Sequence, residues 1–147
     1  MSRAEEAVSC FNSGFSCSQA VLSAYSGQLG MDQATAFKVA CAFGGGMSRM
    51  AGPCGAVTGA LMVIGLKYGK YQTGDEKAKE RTYALTNEFS KRFIARNGSI
   101  NCKELLGCDI GTPERMKYGK EHNLTTTLCP KFVRDAAEIV EEILKDA

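Results

Sequence analysis

Several features on which common functions depend are missing from this chain of 147 residues. Histidine occurs once, as His122, so neither a Ser/His/Asp catalytic set nor a metal site built on a helical histidine pair can be assembled. The formal net charge is only +2, which is too small to indicate binding to nucleic acid or to a membrane surface. The longest apolar run, Ala60–Leu66, is far shorter than the ~20 residues that span a bilayer, so we expect no membrane insertion.

The chain also lacks the sequence features of a secreted protein. Its first residues, MSRAEEAVSCF, contain Arg3, Glu5 and Glu6 but no apolar run, so no signal peptide is predicted. The seven cysteines are an odd number, which argues against an extracellular disulfide framework. We therefore expect a cytoplasmic protein whose cysteines serve as buried apolar thiols, as ligands of a metal or cluster, or as a redox-active dithiol.

Familiar cofactor motifs are absent as well. The triplet at residues 44–46 is not followed by Gly-Lys-Ser/Thr and follows no predicted strand, so neither a Walker loop nor a dinucleotide fingerprint is indicated. We expect no nucleotide cofactor. No C-x-x-C pair occurs, which argues against zinc ribbons and thioredoxin-type motifs, and the cysteine runs of ferredoxins are missing. A metal or cluster would have to take single ligands from distant helices.

What is present is helical periodicity. Three capping boxes are predicted, at Ser16/Gln19, Thr73/Glu76 and Asn101/Glu104. We expect all-α structure, in a single-domain bundle (residues 1–147) of about five main helices plus short helical turns. The predicted helices cover residues 2–12, Cys17 to about Gly27, Gln33–Phe43, the segment from Pro53 to about Tyr68, a long helix ending at Asn97-Gly98, Cys102–Leu106, a short turn at Thr112-Pro113, and Pro130–Lys145.

The chain is organised around a glycine-rich stretch, Phe43–Gly65, which reads FGGGMSRMAGPCGAVTGALMVIG. Glycine weakens a helix by ~1 kcal/mol relative to alanine, so its abundance here indicates close backbone approach to another helix or to a bound group. With Pro53 in the first helical turn, Cys54 would lie at the positive end of the helix. Arg49 either places a positive charge near Cys54 or pairs with a carboxylate or carbonyl, and we favour the first interpretation.

Four of the cysteines fall at the caps or first turns of predicted helices: Cys17, Cys54, Cys102 and Cys129. Such positions lower the pKa of a thiol and make it a better nucleophile or metal ligand. Cys10 and Cys41 come late in their helices, and we expect them to be core thiols. The assignment of Cys108 stays open, and buried cysteines without any chemical role are the alternative for all seven.

If the four cysteines lie close together as thiolates, their negative charge must be neutralised or removed. Thiolates in a poorly solvated space repel one another, and each costs desolvation energy. A bound cation or cluster, protonation, or oxidation to disulfides would each relieve that charge. Spacing does not decide among these outcomes.

The residues also resemble a known family. Cys17 in FSCSQAVL, the CGAVTG segment at residues 54–59, Cys102 in CKELLG, and Cys129 match the signature of the C_GCAxxG_C_C family. Members are small bacterial and archaeal proteins with four signature cysteines. The similarity runs from about Phe11 to Val140, and the other three cysteines lie outside the signature.

The resemblance implies redox activity without specifying a reaction. A similar cysteine-bearing region of split-Soret cytochromes is associated with an iron–sulfur centre, although this chain lacks a C-x-x-C-H motif, so haem is not expected. We expect the four cysteines to act as catalytic or metal-ligating residues, ligation being slightly favoured over metal-free dithiol/disulfide exchange with Cys54 attacking. The glycine loop would close over the site, with cofactor-binding positions at Gly45, Gly46, Arg49 and Gly55.

A third hypothesis belongs to a different class of function. The chain could be a non-catalytic helical binding or assembly module, in which a Gly55/Gly59 seam forms a subunit interface and the cysteines fill the core. The same seam is the basis for expecting a homodimer. The redox partner is not indicated by the sequence.

Overall fold

The structure is a computed structural model that describes residues 1–146. These residues form eight right-handed α-helices and no β-strand, which confirms the all-α prediction. The helices are α1 (Arg3–Asn12), α2 (Cys17–Ser26), α3 (Gln33–Ala40), α4 (Gly55–Tyr68), α5 (Glu76–Asn97), α6 (Cys102–Leu106), α7 (Pro113–Glu121) and α8 (Leu124–Asp146).

The core forms where α2, α4, α5 and α8 meet. Helix α4 is apolar around most of its circumference, whereas α8 buries one stripe that includes Val133 and Val140. Phe93 of α5 packs against Phe132 of α8, with ring centroids 6.4 Å apart. The hydroxyl of Tyr25 in α2 donates a hydrogen bond of 2.9 Å to the carbonyl oxygen of Ala137 in α8. Nearly all buried apolar side chains of the described residues belong to one cluster.

Two glycines of α4 bring its backbone against that of α2. A Cβ atom on Gly55 would lie 3.0 Å from the backbone nitrogen of Ser18, and one on Gly59 would lie 2.8 Å from the Ser18 carbonyl oxygen. Only glycine permits this approach without displacement of one helix. The predicted packing seam is therefore used inside the chain, and it provides no argument for a subunit interface.

Several predicted helix starts agree with the structure. The capping box of Ser16 and Gln19 is formed, and Asp32 caps α3 by accepting a hydrogen bond from the backbone of Thr35. Helix α5 ends at Gly98, whose φ of 87° lies in the left-handed region. The turn expected at Thr112-Pro113 continues as a helix, with Thr112 as its N-cap.

Three other details predicted at helix starts were wrong, although the helix Cys102–Leu106 begins where it was predicted. Asp75, rather than Thr73, caps α5 by accepting a hydrogen bond from Ala78. Asn101 is the N-cap of α6, but its side chain makes no capping hydrogen bond. Pro53 lies before the N-cap residue Cys54 and pairs by a backbone bridge with Asn101, so it is outside the first helical turn.

The last helix begins earlier than predicted. It starts at Leu124 and contains Pro130, instead of beginning at Pro130. A proline inside a helix removes a single backbone donor, and the packing of the long apolar stripe of α8 compensates for that loss. No helix within residues 1–146 combines the length and the apolar character needed to cross a membrane.

Candidate functional site

The four signature cysteines surround one small cavity. Cys17 is the first residue of α2, Cys54 is the N-cap of α4, and Cys102 is the first residue of α6. Together with Cys129 they are buried and line a space of about 100 Å³. The remaining wall is formed by the glycine loop and by apolar or small side chains, among them Phe11, Leu105, Leu106, Ile110 and Phe132.

Cys129 reaches the cavity differently from the other three. It was expected in the first turn of a helix, but it is the sixth residue of α8, within the helix that begins at Leu124. Cys129 therefore lies beyond the first turn of α8, to which the dipole effect is confined. Cys129 is nevertheless buried, as are its neighbours Phe132 and Val133 on the same helix.

Backbone pairing holds Cys54 and Cys102 side by side. The N–H of Cys54 donates to the carbonyl oxygen of Ile100 at 2.6 Å, and the N–H of Cys102 donates to Gly52 at 2.7 Å. A third bond of 3.2 Å runs from the N–H of Lys103 to the carbonyl oxygen of Ala51. These bonds fix the two cysteines relative to each other although they are far apart in the chain.

The glycine loop forms another wall of the cavity and has a left-handed backbone. Gly45 and Gly46 both have φ of 67°, and this conformation continues through three residues that are not glycine, Met47 (69°), Ser48 (56°) and Arg49 (69°). Each of these three costs about 1–2 kcal/mol in this region of φ/ψ space. Such strain persists only where surrounding contacts over-determine the backbone, and it is commonest at functional sites.

Hydrogen bonds to both ends of this strained loop hold it in place. The N–H of Gly52 donates to the Gly46 carbonyl oxygen at 2.9 Å, and the N–H of Ala51 donates to that of Gly45 at 3.3 Å. The hydroxyl of Ser48 donates to the carbonyl oxygen of Ala42 at 2.7 Å. The loop is thereby folded back toward the segment that carries Cys54.

Of the four expected cofactor-binding positions, three line the cavity. These are Gly45, Gly46 and Gly55. Arg49 lies instead in an adjoining open cleft. The expectation that Arg49 brings its charge to Cys54 is therefore not met, because the left-handed turn directs its side chain across Gly45, where a Cβ atom would lie 3.1 Å from Cγ of Arg49.

Among Cys17, Cys54 and Cys102, the Cys54 thiol loses its proton most readily. A hydrogen bond from the Cys17 thiol lowers the pKa of Cys54, and this effect outweighs the burial of the sulfur, which raises it. Cys54 makes no standard side-chain capping bond, yet the N–H groups of Ala56 and Val57 at the start of α4 also lower its pKa. A thiolate at Cys54 is therefore stabilised by two independent arrangements.

The neighbouring thiols keep their protons. Hydrogen bonds with Cys129 and Cys54, together with complete burial, raise the pKa of Cys17 well above the usual thiol range. Burial raises the pKa of Cys102 to about 12, and negative charge on Cys54 or Cys129 raises it in the same direction. Among Cys17, Cys54 and Cys102, negative charge is therefore favoured at Cys54 when no cation is bound.

The sulfurs are not gathered around a single point. Among residues 1–146, no group of three or more His, Cys, Asp or Glu side chains is close enough to hold one metal ion. The four cysteines instead stand around an open space. All seven cysteines are reduced thiols rather than disulfides.

The other three cysteines lie away from the cavity wall. Cys10 is half-buried, with its sulfur 3.8 Å from the hydroxyl of Ser23, and Cys108 is buried and donates to the carbonyl oxygen of Arg115. Cys41 is exposed, so the expectation that it is a core thiol was wrong. It follows the last residue of α3, where the chain turns toward the surface. His122 is exposed.

Sequence reasoning missed the apolar part of the cavity wall. Phe11 and Ile110 line the space together with Thr125, and none of them carries a motif that marks it. Their position depends on how α1, α8 and the segment after α6 pack, which periodicity alone does not specify.

The comparison with protein families bears directly on this arrangement. A family model described as "Putative redox-active protein (C_GCAxxG_C_C)" matches residues 15–143, which is most of the chain. The chain belongs to the C_GCAxxG_C_C family. The matched range contains all four signature cysteines of the cavity. No curated protein and no solved structure matches this C_GCAxxG_C_C chain significantly.

Proposed function

We propose that this C_GCAxxG_C_C protein is an electron-transfer protein whose four signature cysteines hold an iron–sulfur cluster or another thiolate-bound metal. The proposal rests on one observation: four buried cysteines from four separate segments line a single small, largely apolar cavity. Thiolates are the ligands that iron–sulfur clusters and soft metals prefer. A cytoplasmic location and an as yet unidentified redox partner are parts of the same proposal.

The chemistry of the donor set fits such a group. Cys17, Cys54, Cys102 and Cys129 would be the ligands, and a bound cluster would supply reversible one-electron transfer. The open space of about 100 Å³ that the cysteines line suits a cluster, whereas a single metal ion would require the sulfurs to move closer together. Because burial and hydrogen bonding keep protons on Cys17 and Cys102, ligation must displace those protons, so the affinity should increase with pH.

The first experiment is purification without oxygen, followed by iron and acid-labile sulfide analysis and a visible spectrum. The proposal predicts iron, sulfide and a visible chromophore, all lost in Cys54→Ser. Cys41→Ser is the matched control, since it removes an exposed thiol outside the cavity and should leave the spectrum unchanged. Colourless wild-type protein without metal or sulfide, even after reconstitution with iron and sulfide, would refute ligation.

A second candidate function is metal-free dithiol/disulfide exchange. It is favoured by the pairing of Cys54 with Cys17, in which one sulfur is stabilised as thiolate and the other keeps its proton. The Cys54 thiolate would attack one sulfur of a substrate disulfide, whose S–S bond breaks and whose other sulfur leaves as a thiolate. Cys17, once deprotonated, would then attack the mixed disulfide, releasing the second substrate thiol and leaving a Cys17–Cys54 disulfide.

Exchange makes a different experimental prediction. Cys17→Ser should trap the mixed disulfide on Cys54, detectable by mass spectrometry, whereas Cys54→Ser should form none at this site. Wild-type protein should then show a Cys17–Cys54 disulfide after one turnover. If Cys54→Ser reduces a disulfide substrate as well as the wild type does, exchange at this pair is ruled out.

The assembly-module hypothesis has lost its main support. Gly55 and Gly59 contact α2 of the same chain, so they do not form a surface for a second copy. A homodimer remains a prediction that sedimentation measurements can check.

A further inference from the structure

A second, larger space adjoins the cysteine cavity. It is an open cleft of about 660 Å³, within the range typical of small-molecule sites. Cleft and cavity share Phe11, Ser16, Gly45, Ile110 and Thr125 in their walls. A molecule in the cleft would therefore be separated from the four cysteines by a single layer of residues.

The cleft carries positive charge without compensation. Arg49 and Lys120 line it, and no Asp or Glu is part of its wall. Within residues 1–146, neither side chain has an ion-pair or hydrogen-bond partner. Asp109 lines a neighbouring depression together with Arg49, forms no ion pair with it, and accepts a hydrogen bond from the backbone N–H of Gly111.

Arg49 is placed at the boundary between the two spaces. Its Cγ would lie 3.1 Å from a Cβ on Gly45, and Cδ1 of Ile110 would lie 3.5 Å from the same atom. The aliphatic part of Arg49 thus packs over the residue that separates cleft from cavity. The left-handed backbone at Met47, Ser48 and Arg49 gives the side chain this direction.

We propose that the cleft binds a small organic anion between Arg49 and Lys120 and presents it to the cysteine centre as its substrate. Two unpaired cations in a concave site attract an anion and raise its local concentration. The binding part of this inference stands alone, whereas the role of the anion as substrate rests on the proposed redox function. The ligand class is a carboxylate- or phosphate-bearing molecule small enough for the cleft.

Cys41 provides a reporter that does not depend on the redox centre. It lines the cleft, is exposed and is not one of the four cavity cysteines. Dithiobis(nitrobenzoate) is an aromatic disulfide with two carboxylates, and dithiodipyridine is an uncharged aromatic disulfide of similar size. In either reaction the Cys41 thiolate forms a mixed disulfide, the reagent's S–S bond breaks, and one aromatic thiol or thiolate is released.

The test compares the rates of the two reagents at Cys41, measured by mass spectrometry of the modified peptide. Arg49→Gln and Lys120→Gln should each slow the anionic reagent about threefold or more at low salt, and leave the uncharged reagent unchanged. Lys117→Gln is the matched control: it makes the same charge change on the same helix, but Lys117 does not line the cleft. Unreactive nitrobenzoate should protect Cys41 from dithiodipyridine in a saturable way.

The outcomes separate the two proposals. The anion-binding proposal would be refuted if the ratio of the anionic to the uncharged reaction rate were the same in wild type, Arg49→Gln and Lys120→Gln. It would also be refuted if nitrobenzoate gave no protection, even if iron and sulfide are found. Saturable, Arg49-dependent protection supports the anion site even if the cysteine centre proves redox-inert. A Lys117→Gln variant that slows the reaction as much as Lys120→Gln also contradicts a local site.

Discussion

Gly46 faces Cys102 so closely that a Cβ atom on Gly46 would lie 2.8 Å from Cβ of Cys102. The same atom would lie 2.7 Å from the backbone nitrogen of Gly52, and φ at Gly46 is 67°. We expect Gly46→Ala to destabilise the protein by about 2 kcal/mol or more, since it adds left-handed strain to a clash with the backbone. Urea unfolding measures this loss, and the variant should also lose any chromophore of the cysteine centre.

Gly65→Ala is the matched control for that prediction. Gly65 lies within α4, and a Cβ atom there would meet nothing within 4 Å. Alanine should therefore stabilise the helix, by up to about 1 kcal/mol. If both variants lose stability equally, the special role of Gly46 beside Cys102 is refuted.

The hydrogen bond from Cys17 to Cys54 predicts a pair of variants with different effects. Cys17→Ala removes the donor that lowers the pKa of Cys54, so alkylation of Cys54 should require a higher pH than in the wild type. Cys17→Ser retains a donor and should shift the profile less. The pH dependence of iodoacetamide labelling of metal-free, reduced protein, followed at Cys54 by mass spectrometry, distinguishes the two. Identical profiles for Cys17→Ala and the wild type would contradict this origin of the shift.

The raised pKa of Cys102 predicts that the metal-free, reduced protein loses stability at alkaline pH. Its pKa is raised from 9.0 to about 12 in the folded state, chiefly by burial. The unfolded chain therefore releases this proton first, and the stabilisation present below pH 9 declines as the pH rises toward 12. This one group contributes a slope of at most ~1.4 kcal/mol per pH unit.

The measurement for Cys102 is the free energy of unfolding in urea at several alkaline pH values. Cys102→Ala should show a smaller slope, with a remainder due to Cys17, whose pKa is also raised. Cys41→Ser replaces an exposed thiol and should keep the wild-type slope. If Cys102→Ala has the same slope as the wild type, then Cys102 has the same pKa in the folded and unfolded states, and the prediction is wrong.

We expect the side-chain hydrogen bond of Tyr25 to contribute to the stability of the fold but not to the reactivity of Cys54. Tyr25→Phe removes the 2.9 Å hydrogen bond to the Ala137 carbonyl, and we expect a loss of about 1–2 kcal/mol because both groups are buried. Tyr83→Phe, at an exposed position, should change stability little. Neither variant should change the labelling profile of Cys54. A shifted profile in Tyr25→Phe would mean that this bond also positions the cysteines.

Much of the local structure could be predicted from the sequence. The start of α2 at the Ser16 capping box and the end of α5 at Gly98 were predicted correctly, because each depends only on residues within one helical turn. Pro130 was misleading, because the same residue suits a first turn and is also tolerated inside a long, well-packed helix. The single-domain organisation remains a prediction.

The four cysteines that line the cavity could be identified from the sequence, but the shape of the surrounding loop could not. Helix starts and the family signature identified Cys17, Cys54 and Cys102 and their association with Cys129. The left-handed turn through Met47 and Ser48 could not be predicted from the sequence, since neither residue favours that conformation. The direction of Arg49 depends on that turn, which explains why its location was predicted incorrectly.

The contact of Gly55 and Gly59 with Ser18 has a consequence for electron transfer. Because the backbones of α2 and α4 touch there, the helices carrying Cys17 and Cys54 cannot separate or slide without breaking close contacts. The backbone positions of these two cysteines are thus set by the scaffold, and they should be nearly the same in the oxidised and reduced states. For the proposed electron-transfer function, a centre held in this way would need little backbone reorganisation on gaining or losing an electron, and that would favour fast exchange with a partner.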